Sequence, residues 1–285
     1  MTIWFSEEAV AAWRTAPRTT PGGQARYSDL AIETSLILRT VFHQPLRQTE
    51  GLVGSLLELM GLDLPVPDHS TLSRRSRTLA VASQAASGPV HLLIDSTGVK
   101  LSGPGEWLVE KHGTQRRRAW RKLHLAVDAK TGTIVASTLT SKEVDDAAEL
   151  GPLLDQIDEP LAAVIADGAY DQNNVYATVA EHSPEAVVVV PPRATAVPSP
   201  MAETDPTQRD RHIQAIAEQG RMSWQRTSGY NARAGVEGTM SRYKRIIGDT
   251  LRSHSRPAQE TETRIAVSVL NRMLDLACPE SVRAA

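Results

Sequence analysis

The order in which strand-length and helix-length apolar segments alternate between residues 90 and 192 constrains this chain more than any other feature. VHLLIDS, residues 90–96, is an apolar run of strand length that ends at Asp95. WRKLHLAVDA (120–129) and GTIVASTLTS (132–141) are two more strands, joined across AKTG, which is turn chemistry. Their close spacing predicts an antiparallel meander. DDAAELGPLLDQI (145–157) then reads as an amphipathic helix, and LAAVIADGAYD (161–171) as a buried strand running into a loop at Asp167. NVYATVAEH (174–182) reads as a helix and EAVVVVPP (185–192) as a strand stopped by paired prolines. The order is therefore β, β, β, α, β, α, β, with more helix to follow.

What precedes this run is helical. SDLAIETSLILRTVF (28–42) has apolar residues at helical spacing after a Ser/Asp start, and RQTEGLVGSLLELMG (47–61) repeats the pattern until Gly61 stops it. Asp68 is placed to cap a third helix carrying Arg74, Arg75 and Arg77. Three short helices with a basic last one resemble a helix-turn-helix in outline, and a small bundle with a solvated basic face reads the same way. ASQAASGP (82–89) is a linker, so the expected division is a helical unit over 1–85 and a second domain over 86–285. That second domain is interrupted at about 193–229 by Pro-, Thr- and Gln-rich sequence around a helix at RHIQAIAEQ (211–219). Two helices close the chain: SGYNARAGVEGTMSRYK (228–244) and TRIAVSVLNRMLDLA (263–277).

Three antiparallel strands followed by alternating helices and strands is the ribonuclease H-like topology. The expected fold class is thus α/β, a mixed-sheet catalytic core with a small N-terminal helical domain. In that architecture the end of the first strand, the end of the fourth and a later helix converge at one edge of the sheet, and here those places hold Asp95, Asp167 and Glu237. Tyr230, Arg233, Glu237 and Lys244 fall at steps of three, four and seven, which return to nearly one helical face. Taken alone, that face is equally the middle of a solvated ion-pair ladder. Its agreement in topology with the two aspartates favours an active site.

Three carboxylates in one small site raise one another's pKa unless cations neutralise them. Hard oxygen ligands that leave room for water and phosphate suit Mg2+ or Mn2+ better than zinc. Two such ions roughly 3.5 to 4 Å apart can serve both the attacking and the leaving oxygen of an in-line phosphoryl displacement. Lys244 lies two helical turns beyond Glu237, about 10 Å along the axis, a reach that suits a backbone phosphate beside the reacting bond.

The signature Tyr, two residues, Arg, three residues, Glu, six residues, Lys is filled without a gap by Tyr230, Arg233, Glu237 and Lys244. VHLLIDSTGVK and IADGAYD resemble the first- and second-aspartate segments that go with it, and PDHSTLSRR and GEWLVEKHGTQRRRAWRKLHLAVD also look like family sequence. Over nearly its whole length the chain resembles bacterial insertion-sequence transposases of the DDE superfamily. The resemblance implies that Asp95, Asp167 and Glu237 are the metal-binding catalytic acids, and that the activity is hydrolysis at element ends followed by joining of the freed 3′-hydroxyl to target DNA. It further implies terminal inverted repeats and target DNA as partners, and a homo-oligomer assembled on DNA. Two alternatives stand beside this reading: a nuclease that cuts without joining, and a DNA-binding regulator that no longer reacts. The intact acids argue against the second, since binding alone would tolerate Asn or Ser there.

Charge supports a polyanion partner locally rather than globally. The net charge is −2, yet residues 209–256 carry ten Lys/Arg against four Asp/Glu. Arg233, Arg242 and Lys244 are expected to contact DNA with Tyr230. So are Arg116, Arg117 and Arg121, in the cationic stretch that also holds Lys111, His112, Arg118 and Lys122, and Arg74 and Arg75 of the third helix. Asp128, Glu143, Asp145 and Asp146 are read as turn and helix-start residues, and Asp171 as a weaker rival to Asp167. Trp107, Trp120, Trp224 and His124 are read as packing groups. Cys278 stands alone, which excludes a disulfide framework and a thiolate zinc site. No apolar run suits a secretory signal or a membrane span, so a cytoplasmic, nucleoid-associated protein is expected.

Overall fold

The computed structural model describes residues 6–15, 25–85, 88–102 and 120–277. Its elements are α1 (Glu7–Ala12), α2 (Asp29–Val41), α3 (Leu46–Leu59), α4 (His69–Arg75), β1 (Val90–Leu101), β2 (Trp120–Asp128), β3 (Ile134–Ser141), α5 (Leu150–Leu154), β4 (Leu161–Ile165), α6 (Asn173–His182), β5 (Val187–Val189), α7 (Gln208–Gln219), α8 (Arg221–Thr227), α9 (Ala234–Ile246), β6 (Thr250–Leu251) and α10 (Arg256–Ala277). Short 3₁₀ turns cover Asp146–Glu149, Gly168–Tyr170 and Tyr230–Arg233. No described helix is long and apolar enough to cross a membrane.

The sheet runs β3-β2-β1-β4-β5. β1, β2 and β3 are antiparallel, with Asp95 opposite Leu125 and Ser96 opposite His124, while β4 runs parallel to β1 and β5 parallel to β4. This mixed sheet with helices on both faces is the ribonuclease H-like core that the segment order predicts. Two differences follow from local chemistry. β1 does not stop at Asp95 but continues to Leu101, because β2 pairs with it through Lys100 and β6 adds a parallel partner at Lys100 and Leu101. The helix expected over 145–157 is a 3₁₀ turn and one short α-helix, with Gly151 and Pro152 inside it.

Alternation along β1 sorts its side chains to two cores. Val90, Leu92 and Ile94 pack with Leu150, Leu153, Leu154, Val175 and Val179 under α5 and α6. Leu93 and Val99 pack with Val236, Met240, Tyr243 and Leu270 under α9 and α10. Asp95 shares parity with Leu93 and so faces α9; Ser96 faces the opposite side. A third core joins Trp13, Ile32, Leu36, Val53, Leu57 and Leu72 of the N-terminal helices to Ile265 and Val269 of α10. The last long helix therefore packs on the sheet with one face and on the helical unit with another.

Candidate active site

The 228–244 segment is not one helix. Gly229 adopts a left-handed conformation (φ 77°), Tyr230–Arg233 form a 3₁₀ turn, and the α-helix begins only at Ala234. Upstream, Arg221–Thr227 form α8, a helix for which the sequence gives no strong periodic signal. The start of α9 lies tight on the sheet at Gly235, where a Cβ would stand 2.9 Å from Leu93 Cδ1. A larger residue there would have to displace the Leu93 side chain, and the close seating sets Arg233 and Glu237 over Asp95.

Asp95, Asp167 and Glu237 are brought together, and one guanidinium binds them. Arg233 Nη2 is 2.5 Å from Asp95 Oδ2 and 3.8 Å from Asp167 Oδ2, and Arg233 Nη1 pairs with Glu237 one turn along. The acids grade outward: side-chain exposure is 14% for Asp95, 36% for Asp167 and 57% for Glu237, with Arg233 at 17%. The set therefore opens to solvent at its Glu237 side. Asp95 is also held by its neighbour, Ser96 N–H donating to Asp95 Oδ1 at 2.8 Å. Asp167 caps the turn that follows it, accepting from Ala169 N–H at 2.9 Å. Burial pushes the Asp95 carboxyl above its usual range, and Asp167 and Glu237 add to this against the opposing pull of Arg233. Burial likewise raises the Tyr230 phenol.

Among the described residues no three His, Cys, Asp or Glu side chains are drawn close enough to hold a metal ion. The Arg233 cation occupies the space between the carboxylates instead. The chemistry of the donor set is that of a hard divalent ion's ligands: three carboxylates from three elements already share one positive charge.

Behind Asp95, on the other face of β1, lies a second polar group. Ser96 Oγ donates to Asp146 Oδ2 at 3.1 Å, and Lys122 Nζ donates to Asp146 Oδ1 at 2.9 Å and to Val144 O at 2.7 Å. Lys122 is thus taken up by Asp146 rather than free for phosphate. His124 is fully buried, bonded through Nε2 to Thr140 Oγ1 at 2.8 Å, and burial lowers its pKa. It packs, as its sequence suggests. Asp128 caps its turn through Lys130 N–H and Thr131. Asp171 is turned away from Arg233 and enclosed by Arg209, at 2.6 Å.

The expected DNA-contacting residues fall into three groups. Lys244 is exposed at the end of α9 and has no ion-pair partner among the described residues; Arg242, half-buried one turn before its end, leaves Nε and Nη2 without a partner. Arg74 is exposed on α4, whereas Arg75 pairs with Asp29 and donates to Tyr27 O at 3.2 Å, tying α4 to α2. Arg121 Nε donates to Gln259 on α10 at 2.8 Å. Arg116, Arg117 and their neighbours from Lys111 to Arg118 lie outside the described residues, as do Trp107 and Cys278. Trp224 is buried against His212 and Tyr230, and Trp120 lies over Gly98 with part of its ring exposed.

Sequence reasoning missed Arg193, Arg209 and Ser96. None sits in a periodic pattern that marks it, and the first two act across 22 and 38 residues of chain.

Residues 86–272 match a family model described as a transposase DDE domain, and residues 1–104 match a second model with the same description. Among solved structures, a piggyBac transposase synaptic complex with hairpin DNA aligns over 98% of this chain and 75% of its own, at 9% identity and a TM-score of 0.42.

Proposed function

The chain belongs to the transposase DDE domain family, and on that premise we propose that its DNA chemistry is carried by Asp95, Asp167 and Glu237 as ligands of two divalent ions, Mg2+ or Mn2+. Such ions would supply charge stabilisation for both the attacking and the leaving oxygen of a phosphodiester displacement. The convergence of three carboxylates from β1, the turn after β4 and helix α9 on the single guanidinium of Arg233 carries the reading.

The residues themselves divide the work. Asp95, the most enclosed of the three and fixed by the Ser96 amide, sets the floor of the site. Glu237, the most open, faces the side from which DNA enters. Arg233 keeps the carboxylates together while no other cation is present, and its fork can turn to a phosphate once they are otherwise neutralised. Lys244 and Arg242 lie farther along α9, where they meet the backbone beside the scissile bond and fix its register. In the first step water attacks phosphorus, the bond from phosphorus to the 3′-oxygen breaks, and that oxygen leaves as a 3′-hydroxyl. In the second step this hydroxyl attacks a target phosphodiester and a target 3′-oxygen leaves. Both steps are one displacement with different nucleophiles.

The end-recognising unit in this reading is the helical segment up to about residue 85, with Arg74 and Arg77 open to base edges on and after α4. The catalytic domain is residues 86–285, with the 193–229 segment inserted in it. Incubation of the protein with a plasmid bearing its own element's ends and Mg2+ tests the assignment. Cleavage with 3′-hydroxyl products that become joined to target supports it. Cutting without joining would make the protein a nuclease.

A further inference from the structure

The inserted segment makes two sets of contacts, one to the turn that Asp167 caps and one to the turn that carries Arg233. At one end, Arg209 of α7 grips Asp171 in a two-pronged ion pair, Nε to Oδ1 at 2.6 Å and Nη2 to Oδ2 at 3.1 Å. The Asp171 side chain is fully enclosed, and Arg193 N–H donates to the same carboxylate at 2.8 Å. The Arg193 side chain reaches back to Gly168 O at 3.1 Å and Ala169 O at 3.0 Å. These carbonyls belong to the turn that Asp167 caps. At the other end, His212, one turn along α7 from Arg209, donates from Nε2 to Val188 O at 2.7 Å and accepts the Trp224 indole N–H at Nδ1 at 3.0 Å. The Trp224 ring then lies 5.5 Å from the ring of Tyr230, the residue that opens the turn carrying Arg233.

We propose that α7 is a brace that sets the Asp167 turn in register with the Tyr230–Arg233 turn, and that Arg209 is a positioning residue for Asp167. The proposal rests on the reading of Asp167 as a metal-binding acid. Three observations single out a brace from ordinary packing. Arg209 and His212 share one face of one helix, so the distance between the two contacts is fixed by helix geometry. Gln208 of the same turn bonds both Val188 N–H, at 2.8 Å, and Ala186 O, at 3.0 Å, which pins α7 to the free edge of β5. And Asp171 spends its carboxylate wholly on these contacts, leaving the more exposed Asp167 to face Arg233. Groups that orient a ligand from behind commonly change metal affinity or activity by about 10- to 100-fold when removed.

The experiment is a titration of the full-length protein with Mn2+, following the free ion by electron paramagnetic resonance, alongside a thermal melt of each variant. Arg209→Ala is expected to weaken Mn2+ binding about tenfold, and Arg209→Lys, which keeps the charge but loses the fork, to recover part of it. Asn271→Ala serves as the control. It removes the two bonds of the buried Asn271 side chain to Ile134 N–H, at 2.9 Å, and Ile134 O, at 2.8 Å, which tie α10 to β3 and involve neither α7 nor the Asp167 turn. It is expected to lower the melting temperature and leave Mn2+ binding as in the native protein. Native-like Mn2+ affinity in both Arg209 variants, with Asp167→Asn impaired, would overturn the brace while the role of Asp167 stands. Equal losses in Asn271→Ala and Arg209→Ala would also overturn it, since general loosening then accounts for the effect. Native affinity in Asp167→Asn would remove the acid assignment on which the brace rests.

Discussion

Arg233 and Asp95 meet at 2.5 Å in the least exposed part of the site, with the guanidinium of the first also reaching Asp167 and Glu237. One positive charge thus holds three negative ones. Replacing it by alanine leaves the carboxylates facing one another, so Arg233→Ala is expected to lose on the order of 2 kcal/mol of stability without divalent ions. That lies below the roughly 3–5 kcal/mol of a fully buried pair because Glu237 is open to water. A divalent ion bound by the acids would replace the missing charge. Mg2+ should therefore raise the melting temperature of the variant by more than that of the native protein. Equal shifts would show that the acids do not share an ion.

Lys244 has no carboxylate partner among the described residues, so its charge is free for a phosphate. Lys244→Ala is expected to weaken binding to specific and unrelated duplexes alike and to reduce the slope of log K against log salt by about one unit. Binding titrations at several salt concentrations check this. An unchanged slope would assign Lys244 to the solvated end of α9 alone.

Arg74 and Arg75 are neighbours with different expected phenotypes. Arg75 is committed to Asp29 and Tyr27 O, so Arg75→Ala should lower the melting temperature and affect DNA binding only through folding. Arg74→Ala should instead narrow the preference for element ends over scrambled duplex by about 1 to 3 kcal/mol, the worth of one bidentate base contact. Titration with both duplexes at one salt concentration separates the two. Equal loss on both duplexes for Arg74→Ala would make it a backbone contact.

His212 donates to a carbonyl through one ring nitrogen and accepts an indole N–H through the other, which requires the neutral ring. Burial lowers its pKa, against smaller upward pulls from its Val188 bond and from Asp171. A folded pKa below the unfolded value of about 6.5 means that the unfolded chain takes up the proton first. The stability His212 contributes is then complete above about pH 6.5 and is lost as pH falls toward the folded pKa. Denaturant unfolding at pH 7.5 and pH 5.5 should show this loss, and His212→Gln should reduce it. His124, buried and lowered in the same way, adds to the native slope and remains in the variant. An unchanged slope in His212→Gln would mean that His212 is not held neutral.

How much of this was legible depends on the range of the contacts concerned. The apolar runs that form the start of β1 and all of β4 are continuous, so the core strands could be read locally, with Asp95 within the first and Asp167 just after the second. The turn at Tyr230–Arg233 could not, because it follows the left-handed Gly229 and sits where the start of α9 meets Leu93 of a distant strand. The extension of β1 past Asp95 depends on pairing with Trp120–Lys122 and with β6, partners supplied by distant segments. Arg209 looked like one cation among many in a polar insertion; only the fold puts the enclosed Asp171 against it. The double service of α10 was hidden for a similar reason, since its apolar stripe does not say how many partners it has.

If Asp95, Asp167 and Glu237 act as one site, replacing each by its amide removes a ligand charge with least change of shape. Asp95→Asn, Asp167→Asn and Glu237→Gln should each keep the fold and DNA binding. Each should also lower single-turnover cleavage of element-end DNA in Mg2+ by about a thousandfold or more, as loss of several kcal/mol of charge stabilisation requires. That one measurement, made on all three variants beside the native protein, decides the matter. Cleavage lost in all three with binding retained is the expected result; near-native cleavage in any one would take that residue out of the site and leave the three acids not acting together.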